Sequence, residues 1–306
     1  MSLHHASAVR ATHRTARAEA RPRASACAVM GLLGSWCAAC AAPASVPSAR
    51  AVNRVPLTIT VPGDQASGEV GGMAVPVTYR GQLRYLAVDT GSALTFLYLG
   101  EDEPEYIENA GTVQIGSETI VLPGRRLEAD DETGLGIVGV LGANFFTQVP
   151  AAFDPVQGTI SRHVDVSRLE RAEEYTAIPF EEIEDHVLVR VLVDGQALRL
   201  LWDTGCPHLL WIGQDGRAGD EMSLAEDVEG SRFPMYVGQA SLVLGNEPAR
   251  TIVALRAPRF PYFEGTVAAL GGDIQGLAGQ SVFGFRRMLF DPQAGRILLG
   301  PAERAR

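Results

Sequence analysis

The sequence predicts an all-β protein built from two homologous lobes. A motif and its flanking strands occur twice along the chain, which is typical of an internal duplication. Apolar and polar residues alternate in short runs that are separated by glycine turns, as β-strands require. Helical periodicity is scarce, so we expect few helices.

Composition limits the classes of partner. Of the 306 residues, 46% are hydrophobic and 20% are charged, which is typical of a globular protein with one or two cored domains. The formal net charge is −10. Residues 1–50 hold six arginines and one acidic residue, so the chain after residue 50 has a more negative net charge than the whole. Nucleic-acid binding needs a basic face. The composition therefore argues against a nucleic-acid partner.

The N-terminal segment is typical of an export signal. Arginines precede a run of small and apolar residues at 24–42, and a Pro/Ala/Ser-rich stretch follows it. The tetrapeptide at 37–40, CAAC, resembles a bacterial lipoprotein cleavage box with Cys40 as the acylated residue, although Cys37 stands where Leu is usual. We expect a periplasmic protein or an outer-membrane lipoprotein attached through acylated Cys40. Simple secretion and an organelle transit peptide stay open as alternatives.

The domain organisation follows from these patterns. We predict a leader over 1–40, a flexible tether over 41–54, a first lobe over 55–165, a linker over 166–175 and a second lobe over 176–306.

Cysteine usage agrees with this division. Cys27, Cys37 and Cys40 all lie in the leader, and the body keeps only Cys206. No disulfide can form within the body, so its fold depends on its hydrophobic core.

The duplication is clearest around two Asp-Thr-Gly motifs. The stretch VPVTYRGQLRYLAVDTGS, at 75–92, aligns with VRVLVDGQALRLLWDTGC, at 189–206. A Gly-Gln pair and the Asp-Thr-Gly match with the same offset along the chain. Each half therefore has a strand, a two-residue glycine turn, an apolar strand and then Asp-Thr-Gly.

A second pair of segments also aligns. GVLGANFFTQVPAAFDPVQGTI, at 139–160, matches GLAGQSVFGFRRMLFDPQAGRI, at 276–297, in a glycine that follows two apolar residues and in Phe-Asp-Pro. The second half carries a net insertion between its Asp-Thr-Gly and this glycine. The best helix candidates are short, at 142–146 and 279–283.

This order of motifs resembles the aspartic protease superfamily, in its retropepsin-like and pepsin-like branches. One Asp-Thr-Gly is weak support, but two in register, each followed by the glycine step and Phe-Asp-Pro, are specific. The resemblance implies two β-barrel-like lobes related by a pseudo-twofold axis, with the active site at the lobe interface. Because one chain carries both motifs, it should act as a monomer, a pseudo-dimer in a single polypeptide.

The resemblance also implies roles for the residues of the two loops. Asp89 and Asp203 would share one proton, because two adjacent carboxylates do not both ionise cheaply. One aspartate would act as a base on water while the other polarises the substrate carbonyl. No cofactor and no metal are needed. The residues expected to support the two loops are Thr90, Gly91, Ser92, Thr204, Gly205 and Cys206.

The residue after each Asp-Thr-Gly suggests an asymmetry between the carboxyls. Ser92 is expected to donate to the outer oxygen of Asp89, whereas the thiol of Cys206 is a weaker donor to Asp203. We therefore predict that Asp203 is the less stabilised carboxylate and holds the proton more often.

A substrate-covering flap should lie between each Asp-Thr-Gly and the later glycine step. The span in the first half, 100–111, is short and acidic. The span in the second half, 213–238, is longer and carries several large apolar residues. We expect the second half to supply the main flap.

Other chemically suggestive residues have simpler explanations. Asp154 and Asp291 each precede proline and are expected to form turns. Cys206 with His208 is too sparse a pair for a metal site, and a buried structural cysteine is the better interpretation. The acidic run at 101–108 is expected to be a solvated face, although a preference for basic substrates stays open.

The sequence thus predicts an aspartic endopeptidase that acts on peptide or protein substrates. The alternative is a catalytically inactive envelope protein that keeps the fold and binds peptides. Two departures from the family pattern support that alternative, namely Cys206 and the small Ala278 before the second glycine step.

Overall fold

The computed structural model describes residues 53–59, 72–126, 135–226, 232–284 and 286–301. The predicted leader and the acylation site at Cys40 lie outside these residues, so export and lipid attachment stay predictions. None of the described helices is long and apolar enough to cross a membrane.

The first half forms a closed ring of six strands. The strands of the ring, β3, β4, β8, β5, β7 and β6, pair in that order, and β6 pairs back to β3. The elements of this half are β1 (Asn53–Pro56), β2 (Thr58–Ile59), β3 (Met73–Tyr79), β4 (Gln82–Val88), β5 (Phe96–Leu99), β6 (Tyr106–Ile115), β7 (Glu118–Arg126), β8 (Ile137–Leu141), α1 (Asn144–Thr147), β9 (Ala151–Asp154) and β10 (Thr159–Arg162).

The second half repeats this ring in the same order of elements. Strands β12, β13, β18, β14, β17 and β16 pair in sequence, and β16 pairs back to β12. The elements are β11 (Thr176–Ile183), β12 (His186–Val193), β13 (Gln196–Trp202), β14 (Leu209–Ile212), β15 (Glu221–Glu226), β16 (Arg232–Val243), β17 (Arg250–Ala257), α2 (Pro261–Ala269), β18 (Gly276–Ala278), α3 (Gln280–Phe283), β19 (Met288–Asp291) and β20 (Arg296–Leu299). The prediction of an all-β fold with two homologous barrel-like lobes is confirmed.

A six-stranded sheet joins the two rings. Its order, β1-β10-β9-β19-β20-β11, reads the same from either end when each strand is exchanged for its counterpart in the other half. The central pair is antiparallel, with Phe153 opposite Met288 and Ala151 opposite Phe290. Across this seam the ring of Phe146 lies 5.1 Å from that of Phe290. The halves therefore share both a sheet and a core.

The insertion in the second half supplies two elements that have no counterpart among the described residues of the first half. Strand β15 extends the edge of the second ring, and helix α2 buries Phe263 beside Phe260. Helix α2 was not predicted from the sequence. Its proline at the first helical position is a start signal, but the helix is short and Gly265 interrupts its middle.

The strand arrangement places each Asp-Thr-Gly motif between two strands of its ring. In the first half β4 runs parallel to β8, and β5 runs antiparallel to β8 on its other side. Strands β13, β18 and β14 repeat this pattern. The loop from β4 to β5, and its counterpart from β13 to β14, therefore crosses the end of the strand that separates them.

The glycine step explains how this crossing is accommodated. A Cβ atom at Gly142 would lie 2.3 Å from the carbonyl oxygen of Leu94, and one at Gly279 would lie 2.1 Å from that of His208. Both distances are far below van der Waals contact. Only glycine lets the loop pass this close to the end of the strand.

Candidate active site

The two Asp-Thr-Gly loops meet where the rings adjoin. Asp89 follows β4 and Asp203 follows β13, and their backbone N–H groups donate to the carbonyl oxygens of Leu141 and Ala278, each at 3.1 Å. The two aspartates are buried, with 5% and 4% of their surfaces exposed. Each loop is thus tied to the central strand of its own ring.

The glycine of each motif contacts the carboxyl group of the opposite half. A Cβ atom on Gly91 would lie 2.7 Å from the Cγ of Asp203, and one on Gly205 would lie 3.0 Å from the Cγ of Asp89. A methyl group at position 91 would collide with the Asp203 carboxyl group, and one at position 205 would crowd that of Asp89. The structure therefore brings together the two aspartates and the two glycines that were grouped as one site from the sequence.

Two threonines lock the loops to each other. The N–H of Thr90 donates to Oγ1 of Thr204, and the N–H of Thr204 donates to Oγ1 of Thr90, both at 3.0 Å. The hydroxyl of Thr90 in turn donates to the carbonyl oxygen of Trp202 at 3.0 Å, and that of Thr204 to the carbonyl oxygen of Val88 at 3.3 Å. These four buried hydrogen bonds cross the interface and fix the separation of the loops.

Backbone N–H groups of each loop stabilise its own carboxylate. Gly91 donates to Oδ1 of Asp89 at 2.9 Å. In the second loop Oδ1 of Asp203 accepts two such bonds, from Gly205 at 2.8 Å and from Cys206 at 3.0 Å. Hydrogen bonds to the charged form of a carboxyl favour that form.

Burial dominates the ionisation of the pair. Burial, then the adjacent Asp203 carboxyl, raises the pKa of Asp89 well above its usual value, and the N–H groups of Gly91 and Ser92 oppose that rise. Burial also raises the pKa of Asp203, but bonds from Asp89 and from the N–H groups of Gly205 and Cys206 oppose that rise. Because the pKa of both carboxyls is raised, the arrangement favours one proton shared by the pair.

The side-chain bond on which the expected protonation asymmetry was based is not formed. The hydroxyl of Ser92 does not donate to Asp89 but to the carbonyl oxygen of Leu94, at 3.0 Å. The thiol of Cys206 donates in the same way to the carbonyl oxygen of His208, at 3.2 Å. Because both side chains bond a carbonyl two residues ahead, exchanging a hydroxyl for a thiol does not weaken a bond to Asp203.

Cys206 has the environment of a structural residue. It is buried and packs in the core of the second half with Leu201 and Leu277. Within the described parts of the chain, no group of three or more His, Cys, Asp or Glu side chains could hold a metal ion.

The two Asp-Pro aspartates occupy turns, as expected. Oδ1 of Asp154 accepts the N–H of Gln157 at 2.9 Å, and Asp291 pairs with Arg296 at 3.1 Å within its own hairpin. The acidic residues over 101–105 are exposed.

A long hairpin occupies the span in which the main flap was predicted. Strands β15 and β16 pair from Glu221 opposite Val237 to Glu226 opposite Arg232. Met222 and Leu224 on β15 are largely exposed, whereas Phe233 and Met235 on β16 are buried. In the first half, only residues 100–105 separate β5 from β6, and they form no additional strand. A covering role for the β15–β16 hairpin stays a prediction.

Gln280 is a residue of the site that was not predicted from the sequence. It is the first residue of α3 and lies directly after Gly279, and its buried side chain donates to the carbonyl oxygen of Thr204 at 3.1 Å. The corresponding residue in the first half is Ala143. The sequence does carry a signal for this residue, because a polar side chain follows the glycine step in the second half and an apolar one follows it in the first.

The raised pKa values predict a specific dependence of stability on pH. A carboxyl whose pKa is higher in the folded state gives its full stabilisation below the unfolded pKa, near 4, and loses it as the pH rises through the folded pKa. Asp89→Asn removes one such carboxyl and relieves the other of its like-charged neighbour. We expect the variant to gain about 1–3 kcal/mol over wild type at pH 7, and little at pH 3. Urea denaturation from pH 3 to pH 7 measures this difference, and a gain that does not change with pH would contradict it.

Comparison with known proteins gives structural similarity alone. No protein-family model and no curated protein matches the chain. An aspartic proteinase from Irpex lacteus matches with a TM-score of 0.47 and 12% identity, over 83% of this chain and 98% of that one. Basic 7S globulin from soybean has a TM-score of 0.44 and 9% identity, and conglutin gamma, a basic 7S globulin from lupine seeds, has 0.48 and 8%. Each of these two matches covers 82% of this chain and 95% of the other.

Proposed function

We propose that the protein is an aspartic-type endopeptidase in which Asp89 and Asp203 activate water for attack on a peptide bond. The observation that carries this proposal is the burial of two carboxyl groups against each other, one from each half. Burying two acids together is costly unless they share a proton. The four threonine bonds that enforce this proximity are best explained by a function for the pair.

The proposed mechanism uses the two ionisation states of the pair. Asp203, held ionised by the N–H groups of Gly205 and Cys206, takes a proton from water as a general base. Asp89 carries the shared proton and donates a hydrogen bond to the carbonyl oxygen of the substrate. The hydroxyl of that water adds to the carbonyl carbon while the proton of Asp89 passes to the carbonyl oxygen. Asp203 then gives the proton it took from water to the amine nitrogen, the C–N bond breaks, and Asp89 regains its proton as the carboxylic acid product forms. No covalent intermediate and no cofactor take part.

A second candidate function is peptide binding without turnover. It is favoured by Cys206, which stands where a hydroxyl residue is usual after Asp-Thr-Gly, and by Ala278, which is fully buried where a bulkier residue is usual. The structure weakens the first argument, because the side chain at that position bonds a carbonyl of its own loop in both halves.

A mixed peptide library distinguishes the two candidates. The full chain is incubated with the library from pH 2 to pH 8, with and without a pepstatin-like inhibitor, and products are identified by mass spectrometry. Inhibitor-sensitive internal cleavage supports the endopeptidase. Retention of peptides without cleavage at any pH supports the binder. Cleavage that the inhibitor does not affect and that persists when both aspartates are replaced contradicts the proposed site.

A further inference from the structure

Gln280 holds the second Asp-Thr-Gly loop at two points. Its backbone N–H donates to the carbonyl oxygen of Cys206 at 2.8 Å, and its side-chain Nε2 donates to the carbonyl oxygen of Thr204 at 3.1 Å. The residue is 2% exposed. Both bonds therefore lie out of reach of competing water.

The two halves differ at this point. In the first half the backbone N–H of Ala143 donates to the carbonyl oxygen of Ser92 at 2.8 Å, which matches the backbone bond of Gln280. Alanine has no side-chain donor, so the bond from Nε2 has no equivalent at Thr90. This is a polar difference between two loops that are otherwise closely matched.

The side-chain bond is connected to the carboxyl of Asp203 through one peptide group. The carbonyl oxygen of Thr204 accepts from Gln280, and the N–H of the same peptide, on Gly205, donates to Oδ1 of Asp203 at 2.8 Å. Hydrogen bonds in series polarise one another, since a donor at the carbonyl makes the N–H of that amide a stronger donor.

The side-chain amide is only half satisfied. Its Oε1 is buried and has no hydrogen-bond partner among the described residues. Reversing the amide would point Oε1 at the carbonyl of Thr204 and place two acceptors together, so Nε2 must be the atom that faces the loop. A buried, unpaired acceptor lowers stability. The bond from Nε2 to the buried carbonyl oxygen of Thr204 is therefore the contact that glutamine gains over an apolar side chain of the same size.

We propose that Gln280 is a positioning residue that acts through the Thr204–Gly205 peptide to keep Asp203 ionised and so assigns the shared proton to Asp89. This inference rests on the proposed function, because it gives the two aspartates distinct roles as base and as proton donor. Burial raises the pKa of both carboxyls, so a bond that favours the ionised form of one of them decides where the single proton lies.

The other titratable groups around α3 and this loop do not supply the asymmetry. Cys206 and His208 belong to the loop and its following strand, and the thiol of Cys206 bonds a backbone carbonyl. Arg250 of β17 donates to the carbonyl oxygens of Ser281 and Val282 at the other end of α3. The facing carboxyl of Asp89 is the second member of the pair itself.

Gln280→Met tests the proposal because methionine has a similar length and no donor. The full chain, labelled with ¹³C at aspartate carboxyls, is titrated by NMR, and the two resonances are assigned by their loss in Asp89→Asn and Asp203→Asn. In wild type we expect one ionised and one protonated carboxyl across intermediate pH. In Gln280→Met the two chemical shifts should move toward each other, and the lower midpoint should rise by about 0.5 to 1 pH unit. The midpoint of the acidic limb of the pH–rate profile should shift to higher pH by the same amount. We expect kcat to fall about threefold to tenfold and KM to change little.

Ser281→Ala is the matched control on the same helix. The Ser281 hydroxyl accepts the N–H of Leu209 and donates to the carbonyl oxygen of Val253, so its loss should lower stability without moving either midpoint. Gln280→Leu provides a second apolar replacement should the methionine variant fail to fold.

The outcomes separate this inference from the proposed function. Unchanged carboxyl shifts in a folded Gln280→Met or Gln280→Leu variant overturn the role of Gln280, whether or not the enzyme is active. Convergent shifts support it even if no peptide is cleaved, and in that case the peptidase proposal fails while the positioning role stands.

Discussion

Asp89→Asn and Asp203→Asn are each expected to reduce peptide hydrolysis by at least about 10³-fold to 10⁴-fold. An amide at position 89 cannot carry the proton that polarises the substrate carbonyl, and an amide at position 203 cannot accept a proton from water. The replacement is nearly isosteric, and the bonds that Gly91 and Gly205 donate to Oδ1 can be kept. The loss should therefore lie in kcat rather than in folding. Initial rates on a peptide identified from the library measure it.

Asp154→Asn is the matched control for this experiment. Asp154 is also buried and also ends a strand, but its carboxyl accepts the N–H of Gln157 in a turn. We expect the control to keep turnover within about threefold of wild type, because sites that share no partners are energetically independent. Turnover above a tenth of wild type in both Asp89→Asn and Asp203→Asn would sink the proposed chemistry.

Thr90→Val or Thr204→Val should destabilise the protein more than most single replacements. Thr90→Val leaves the N–H of Thr204 and the carbonyl oxygen of Trp202 buried without their partners. Each unsatisfied group costs about 1–3 kcal/mol, so we expect a loss of roughly 2–4 kcal/mol together with at least a tenfold drop in kcat. Urea denaturation and steady-state kinetics measure the two effects.

A double-mutant cycle shows whether the two threonines act as one unit. Each replacement removes two different bonds of one network across the interface. Because losing either pair should loosen the other, we expect Thr90→Val with Thr204→Val to cost clearly less than the sum of the single losses. Thr95→Val is the control, since its hydroxyl bonds Asn144 and Gly142 within the first half. It should lower stability and leave the coupling between Thr90 and Thr204 unchanged. Strict additivity of the two threonine variants would show that the two threonines stabilise the loops independently and do not act as one unit.

Much of the architecture was predictable because the duplication appears in local patterns. Strand alternation and glycine turns place β3, β4, β12 and β13, and the motif at the end of β4 and β13 identifies the two aspartates. The short helices α1 and α3 begin within two residues of the predicted starts. These features depend on residues that are near one another in sequence.

The details that escaped prediction depend on competition or on distant contacts. The hydroxyl of Ser92 donates to the carbonyl oxygen of Leu94, two residues ahead, and a local backbone acceptor of this kind competes with the expected carboxyl. The role of Gln280 requires knowing that the glycine step folds back over the loop at Thr204. Helix α2 lies in the insertion, where no second copy exists for comparison, and its glycine weakens the helical signal.

The central seam has a consequence for either half taken alone. Strand β9 has one edge on β10 and the other on β19, and β19 is likewise placed between β9 and β20. Cutting the polypeptide in the linker and separating the products would strip one edge of each of these strands of its backbone partners, together with the apolar faces of Phe146 and Phe290. Such an edge is a template for pairing with an identical strand. We therefore expect a separated half to pair with a second copy of itself through this edge. Two identical Asp-Thr-Gly loops would then face each other, whereas the intact chain brings two different loops together.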